Sequence, residues 1–462
     1  MLAVPVWGAF ALREWIFDRR RPLLELHVGG RHALPLAREL RRVAEAPDVR
    51  GLHVQVDRVL EGWASLSAAR EALLAVRKAG KFVSFELEHV GNAELYLASV
   101  ADRVWVRPMA QLHLYGVGAT LRFAGDAFER FGLRFDIESA GAYKAFGETF
   151  TRSFASPENR EAMEDIVAGL QAELEQGIAE GRKLSTEQVR QAVLDAPLDP
   201  EEAQRRGLID GVLYPDVVKA ELESLFGRDY ARVPFARWHR AHHARARMER
   251  WIEGRKRIAV VHLQGGVVDG EGGPGTQVIA ARPVARKLDE LAEDDGIAAV
   301  VLDIKSPGGS ATASDVIWRA AERLGRRKPL VANLGDVAAS GGYYIAVAAS
   351  EIVTAPNTLT GSIGVVGGKL VLGEALARLG VHTELILGAP GASTFSADTP
   401  FTPEQRARFK LGLQRFYKAF VERVAAGRRR PFETIEPLAR GRVWTGRRAV
   451  EIGLADRVGT LE

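Results

Sequence analysis

Ser340 stands before the glycine pair Gly341-Gly342, where an apolar strand-like run (residues 331–334) and the turn Gly335-Asp336-Val337-Ala338-Ala339 give way to a helical pattern reaching Ala349. A serine at a helix N-terminus can act as a nucleophile, because the unpaired N–H groups and the helix dipole favour an oxyanion. It can equally be an N-cap, a role that serine fills well. A second glycine pair lies in Ser306-Pro307-Gly308-Gly309-Ser310, again behind a strand pattern. Such a pair lets the backbone approach a ligand and aim N–H groups at developing charge, or it is an ordinary strand-to-helix turn. A nucleophilic serine needs a base, most often histidine. His262 lies inside a strand pattern and reads as a core or edge residue. Lys144, in Ser139-Ala140-Gly141-Ala142-Tyr143-Lys144-Ala145-Phe146, has an apolar, small-residue setting. A lysine desolvated in such a setting loses basicity and can accept a serine proton.

These residues sit on a chain that is written twice. Ser156-Pro157-Glu158 corresponds to Thr402-Pro403-Glu404, and Ala203, Gly207, Leu208, Asp210 and Val212 correspond to Ala449, Gly453, Leu454, Asp456 and Val458, all 246 apart. Earlier in each copy the spacing is 248, as for residues 49–54 against 297–302 and 97–101 against 345–349. Copy one is read as residues 23–225 and copy two as 258–462, with an apolar and basic segment (1–22) before them and a basic linker helix (226–257) between. The copies differ where the chemistry would lie. Asn92 stands opposite Ser340, Ala93 and Glu94 opposite Gly341 and Gly342, and Leu60 and Glu61 opposite Gly308 and Gly309. The position opposite Lys144 falls at Pro390 or Gly391. One copy has the serine without the lysine, and the other the lysine without the serine.

Each copy alternates short apolar runs with amphipathic patterns. In copy two, residues 258–262, 298–304, 330–334 and 352–355 read as buried strands, and 283–291 and 314–324 as helices. The expected fold class is α/β with largely parallel strands, and active sites in such sheets lie where strand ends turn into helix starts.

Composition narrows the alternatives. With 462 residues, 47% of them hydrophobic, the chain can bury two large cores. It has no cysteine, which removes disulfides, thiolate metal sites and a cysteine nucleophile. The formal net charge of +4 gives no reason to expect nucleic acid as a partner. The linker carries Trp238, Trp251, His239, His242 and His243 among many arginines. Without carboxylate or cysteine companions these histidines do not suggest a metal, and a solvated helix is the expectation. Neither a metal nor a cofactor is expected. The first seventeen residues are mostly apolar but interrupted by Arg13 and Glu14, whereas a spanning helix needs roughly 20 apolar residues. With Arg19, Arg20 and Arg21 following, the segment suits a helix in a membrane interface or one docked on protein.

The motifs Ser306-Pro307-Gly308-Gly309-Ser310, Ala338-Ala339-Ser340-Gly341-Gly342-Tyr343, Leu359-Thr360-Gly361-Ser362-Ile363-Gly364 and Gly441-Arg442-Val443-Trp444-Thr445-Gly446, in this order on a duplicated domain, resemble the signal peptide peptidase A family of the long type. The resemblance implies tandem domains like those of the ClpP and crotonase superfamily, built of repeated β-β-α units. It implies a serine endopeptidase with Ser340 as nucleophile, Lys144 as base, Ser362 holding the lysine in line, and Gly308, Gly309 and Gly341 supplying an oxyanion hole. It further implies apolar, extended peptides such as cleaved signal peptides as substrates, a tetramer with active sites where the two domains meet, and association with a bacterial inner membrane. Family members of this type usually carry a spanning segment that the opening residues here lack. Two other readings are a non-catalytic scaffold, since one copy is degenerate, and an acyl-CoA enzyme of the crotonase type, which would give Ser340 and Lys144 no role.

Overall fold

The computed structural model describes residues 21–29, 37–242, 256–273 and 276–461. The expected N-terminal helix, and the linker from residue 243 to 255, lie outside the described residues. The chain forms two compact units, one taking residues up to Val117 and Leu170–Arg255, the other Gly118–Gly169 and Lys256–Leu461. Compactness and repeat therefore partition the chain differently, because residues 118–169 belong to copy one by sequence and to the second unit by contact.

The first unit is built on a parallel sheet in the order Gly211–Val212, Arg103–Val106, Phe82–Leu87, Gly51–Val56, Leu23–Val28, Arg232–Pro234. The second has the corresponding order Arg457–Val458, Glu351–Thr354, Leu330–Ala339, Ile297–Ser306, Arg257–Gln264, also parallel. The matching order, and the β-β-α unit in which Phe82–Leu87 leads through Val90–Gly91 into the helix Asn92–Ala98, give the α/β fold class with tandem domains. The duplication reaches single side chains. Arg182 grips Asp210 and the Gly207 carbonyl oxygen, as Arg428 grips Asp456 and the Gly453 carbonyl oxygen. Such two-pronged charged bonds fix geometry as well as energy.

Each unit has its own apolar core. Leu24, Leu52, Val54, Phe85 and Val104 lie in the first, with Val300, Leu302, Ile304, Ala332 and Ile352 in the second. Strands buried on both faces need near-continuous apolar runs, which is why they were visible as such. Two elements differ from expectation. The strand beginning at Leu330 continues to Ala339 instead of turning at Gly335, because Val337, Ala338 and Ala339 find a new parallel partner in Leu359–Gly361. The basic stretch after Phe226 opens as the strand Arg232–Pro234 and then buries Phe235 and Trp238 in the first core. Up to His242 it is a part of that unit and not a solvated linker.

Candidate active site

The strand Leu330–Ala339 delivers Ser340, and the helix Gly341–Ala346 begins with the next residue. The turn is sharp: Ser340 has φ 51° and ψ −119°, a conformation that L-residues avoid. Strain of this kind, of order 1–3 kcal/mol, persists only where surrounding structure enforces it. Here Ser340 N–H donates to the Gly361 carbonyl oxygen at 2.9 Å and the Ser340 carbonyl oxygen accepts from Tyr344 N–H at 2.8 Å. The capping role is not taken, since the Ser340 side chain makes no bond to the helix it precedes.

The hydroxyl is instead bonded to Lys144, whose Nζ lies 3.0 Å from Ser340 Oγ, 2.9 Å from Ser362 Oγ and 3.0 Å from the Ser362 carbonyl oxygen. Three donors meet three acceptors, as an ammonium requires. For the amine to act as base, the Ser340 hydroxyl must rotate and donate to the lone pair. Burial lowers the Lys144 pKa from the ordinary 10.5 to about 8, because the charged form loses hydration that no nearby carboxylate replaces. His262 takes no part: it lies opposite Asp303 in the sheet and its Nδ1 is bonded to Asp303 Oδ2 at 2.8 Å.

Local pairing explains how residues 196 and 218 positions apart reach Lys144. The strand Arg134–Ala140, which ends just before the lysine turn, pairs antiparallel with Val365–Val371, which begins just after Ser362. The segment Arg440-Gly441-Arg442 closes the arrangement. Tyr143 N–H donates to the Arg440 carbonyl oxygen at 2.8 Å and Ser362 N–H to that of Arg442 at 2.7 Å. The Arg442 guanidinium lies over the rings of Tyr143 and Trp444, at 4.9 and 4.6 Å from their centroids, and pairs with Glu161 and Asp165. A cation held between two rings and two carboxylates has little freedom. The sequence showed the motif containing Arg442 but not this role.

Gly441 has φ 82°, and a Cβ there would lie 2.6 Å from Lys144 N and 2.7 Å from Lys144 Cβ. Gly441→Ala is therefore expected to destabilise the fold by about 2 kcal/mol and to move the lysine. Thermal unfolding together with kcat on any cleaved peptide checks this, and a fall in kcat of about tenfold or more is expected.

The other glycine turn packs against the serine. At Gly308, with φ 103°, an added Cβ would come within 2.7 Å of Gly341 N and 2.8 Å of Ser340 Cβ. The Gly308 N–H is already bonded to Ser306 Oγ at 3.1 Å, a partner that the sequence did not reveal. Gly341 opens its helix, so its N–H has no partner within the helix. The arrangement can thus transfer a proton from a serine to a desolvated amine beside backbone donors. No helix among the described residues is long and apolar enough to cross a membrane.

Comparison with known proteins gives the chain a family. The family profile described as Peptidase family S49 matches residues 75–228 and 322–462, more than half of the chain and including Lys144, Ser340 and Ser362. A chloroplastic serine protease SPPA from Arabidopsis thaliana is 30% identical over 435 residues, covering 92% of this chain and 64% of that protein. Protease 4 from Salmonella typhi is 30% identical over 408 residues, covering 85% and 64%. The chain thus spans less than two thirds of the length of these two relatives. Among solved structures, a ClpP1 mutant from Listeria monocytogenes matches 46% of this chain and 95% of that one at 16% identity, with a TM-score of 0.30, too slight a likeness to support an argument.

Proposed function

The chain belongs to Peptidase family S49, and from that premise we propose that it is a serine endopeptidase in which Ser340 is the nucleophile and Lys144 the general base. The observation that carries this reading is the 3.0 Å bond between Ser340 Oγ and a lysine whose basicity burial has lowered. Neutral Lys144 accepts the Ser340 proton, and the oxygen attacks a peptide carbonyl carbon. The tetrahedral oxyanion is held by backbone N–H groups. With the Gly308 N–H engaged by Ser306, those of Gly309 and Gly341 are the donors for this task, each worth about 3 kcal/mol in the transition state. The lysine ammonium then protonates the leaving amine, the C–N bond breaks, and a water deprotonated by the same lysine releases the acyl group and restores Ser340.

Ser362 holds the amine in line through its hydroxyl and its carbonyl oxygen. Ser362→Ala is expected to lower kcat about 10- to 100-fold with KM nearly unchanged, measured on a peptide cleaved by the wild type. The substrates in this reading are apolar, extended peptides, cleaved signal peptides among them, met at a bacterial membrane by a homo-oligomer, a tetramer by resemblance to the family.

The test is the pH dependence of kcat/KM on an unstructured apolar peptide. Only the neutral amine is a base, so activity should rise about tenfold per pH unit below the lysine pKa of about 8 and level off above it. A flat profile between pH 6 and 9 would remove Lys144 from the mechanism.

A further inference from the structure

The Gly308-Gly309 turn is held by a segment outside its own strand. The short strand Gly266–Val268 forms a parallel bridge with it, in which Val267 N–H donates to the Gly308 carbonyl oxygen at 2.9 Å and Ser310 N–H to the Val267 carbonyl oxygen at 2.8 Å. Such a bridge occupies one side of Gly309 and directs that residue's own N–H to the other. On that other side lies Gly341, where an added Cβ would be 3.3 Å from Gly309 N. Val267 itself leaves no slack, since a Cβ on Gly309 would fall 2.1 Å from its carbonyl oxygen. The residues that follow extend the hold. Asp269 comes directly after the strand, and its carboxylate accepts from Ser310 Oγ at 2.6 Å and from Thr312 Oγ1 at 2.8 Å. The Ser310 and Thr312 hydroxyls keep the Asp269 carboxyl below the usual carboxylate range, and an ionised carboxylate can only accept. The Ser310 proton is thereby committed to Asp269, while its oxygen accepts from Ala313 N–H at 3.2 Å as the N-cap of the helix Ala311–Gly325.

This arrangement is confined to the copy that carries the serine. Copy one starts the corresponding helix, Trp63–Lys78, behind Gly62, which has no side chain to cap it, and Ala64 stands opposite Thr312 at the spacing of 248. Between the first strand of copy one and its first helix, residues 29–36 contain no aspartate or glutamate. Helix stability alone would call for a cap in both copies.

We propose that Asp269 is a positioning residue for the oxyanion hole: through Ser310 and Thr312 it fixes the Gly309 N–H where the oxyanion forms. The proposal rests on the reading of Ser340 as nucleophile. Val267 sets the distance of the turn from one side, and Asp269 prevents Ser310, and with it the Gly309 peptide, from swinging about that single bridge. The consequence falls on the transition state. A donor displaced by about 1 Å no longer meets the charge that develops there, whereas an uncharged ground-state carbonyl makes little use of it, so kcat depends on Asp269 and KM does not.

Asp269→Ala is expected to lower kcat on an apolar peptide about 10- to 100-fold with KM within about twofold of the wild type. Asp269 is exposed, so the unfolding temperature should hardly move. Thr312→Val, which removes one of the two bonds and keeps the shape, is expected to lower kcat several-fold. Combined with Asp269→Ala it should add no more than about twofold, because the two residues act as one unit. Affinity for two inhibitors separates positioning from a general loss of structure: the same apolar peptide ending in an aldehyde or in the corresponding alcohol. Ser340 Oγ adds to the aldehyde carbon, its proton passes to Lys144, and the former carbonyl oxygen becomes the oxyanion, while the alcohol forms no such bond. The wild type is expected to prefer the aldehyde, and Asp269→Ala to lose aldehyde affinity by about the factor lost in kcat while binding the alcohol within about twofold of the wild type. An undiminished preference for the aldehyde in Asp269→Ala, or an equal loss of affinity for both inhibitors, would overturn the proposal alone. A wild type that binds aldehyde and alcohol equally would overturn the reading of Ser340 and this proposal with it.

Discussion

Replacing Ser340 with alanine is expected to lower kcat on an apolar peptide by about ten-thousand-fold or more, while the protein remains folded. With Ser340 as the proposed nucleophile, covalent catalysis would end when its oxygen is removed, leaving the modest rate that binding and backbone donors provide. The fold should be indifferent, because the side chain caps nothing and its loss leaves Lys144 with both Ser362 acceptors. Ser340→Gly separates the two effects further. It abolishes activity equally but relaxes a residue held at φ 51°, so it should be more stable than the alanine variant by about 1 kcal/mol. Single-turnover cleavage and thermal unfolding of both variants check these outcomes. Activity retained in either would mean that Ser340 is not the nucleophile.

Lys144→Met is expected to abolish turnover to a similar degree and, unusually for a buried substitution, to stabilise the protein at neutral pH. Holding a charged amine where it has lost its hydration costs free energy, and methionine fills a similar volume without that cost. The expected gain is about 1–3 kcal/mol, less than the full cost of the lowered pKa because the substitution also removes the three hydrogen bonds that Lys144 makes. The gain has a defined pH dependence. Folded Lys144 gives up its proton near pH 8 and the same residue in the unfolded chain near 10.5. Between those values the unfolded chain holds the extra proton, so wild-type stability rises with pH. The advantage of the methionine variant is therefore complete below about pH 8 and shrinks as pH increases toward 10.5. Denaturant unfolding at pH 7 and pH 10 measures both parts, and a methionine variant less stable than wild type at pH 7 would show that the amine is not held at a desolvation cost.

Much of the architecture was legible because buried parallel strands carry continuous apolar runs and because the chain repeats itself. Comparing the copies singled out Ser340 and Lys144, and the two side chains do meet. Which contacts bring them together was not legible. The pairing of Arg134–Ala140 with Val365–Val371 joins segments far apart in sequence, and neither has a periodicity that names its partner. For the same reason the repeat gave no sign that residues 118–169 pack with the second unit. The length of the strand reaching Ala339 was also hidden, since its last residues are fixed by a partner beginning at Leu359 and not by local preference. Ser306 and Arg442 were visible only as members of motifs. Their roles depend on a 3.1 Å bond to Gly308 N and on rings stacked about a guanidinium, neither of which a spacing encodes.

The pairing of Ser340 with Lys144 as nucleophile and base is tested by the rate at which a fluorophosphonate modifies Ser340 as a function of pH, in the wild type and in Lys144→Met, with the adduct located by peptide mass. Modification is expected at Ser340, with a rate that rises through an apparent pKa near 8 in the wild type and falls at least a thousandfold, without that inflection, in the variant. Modification of another residue, or an unchanged profile once the lysine is gone, would contradict it.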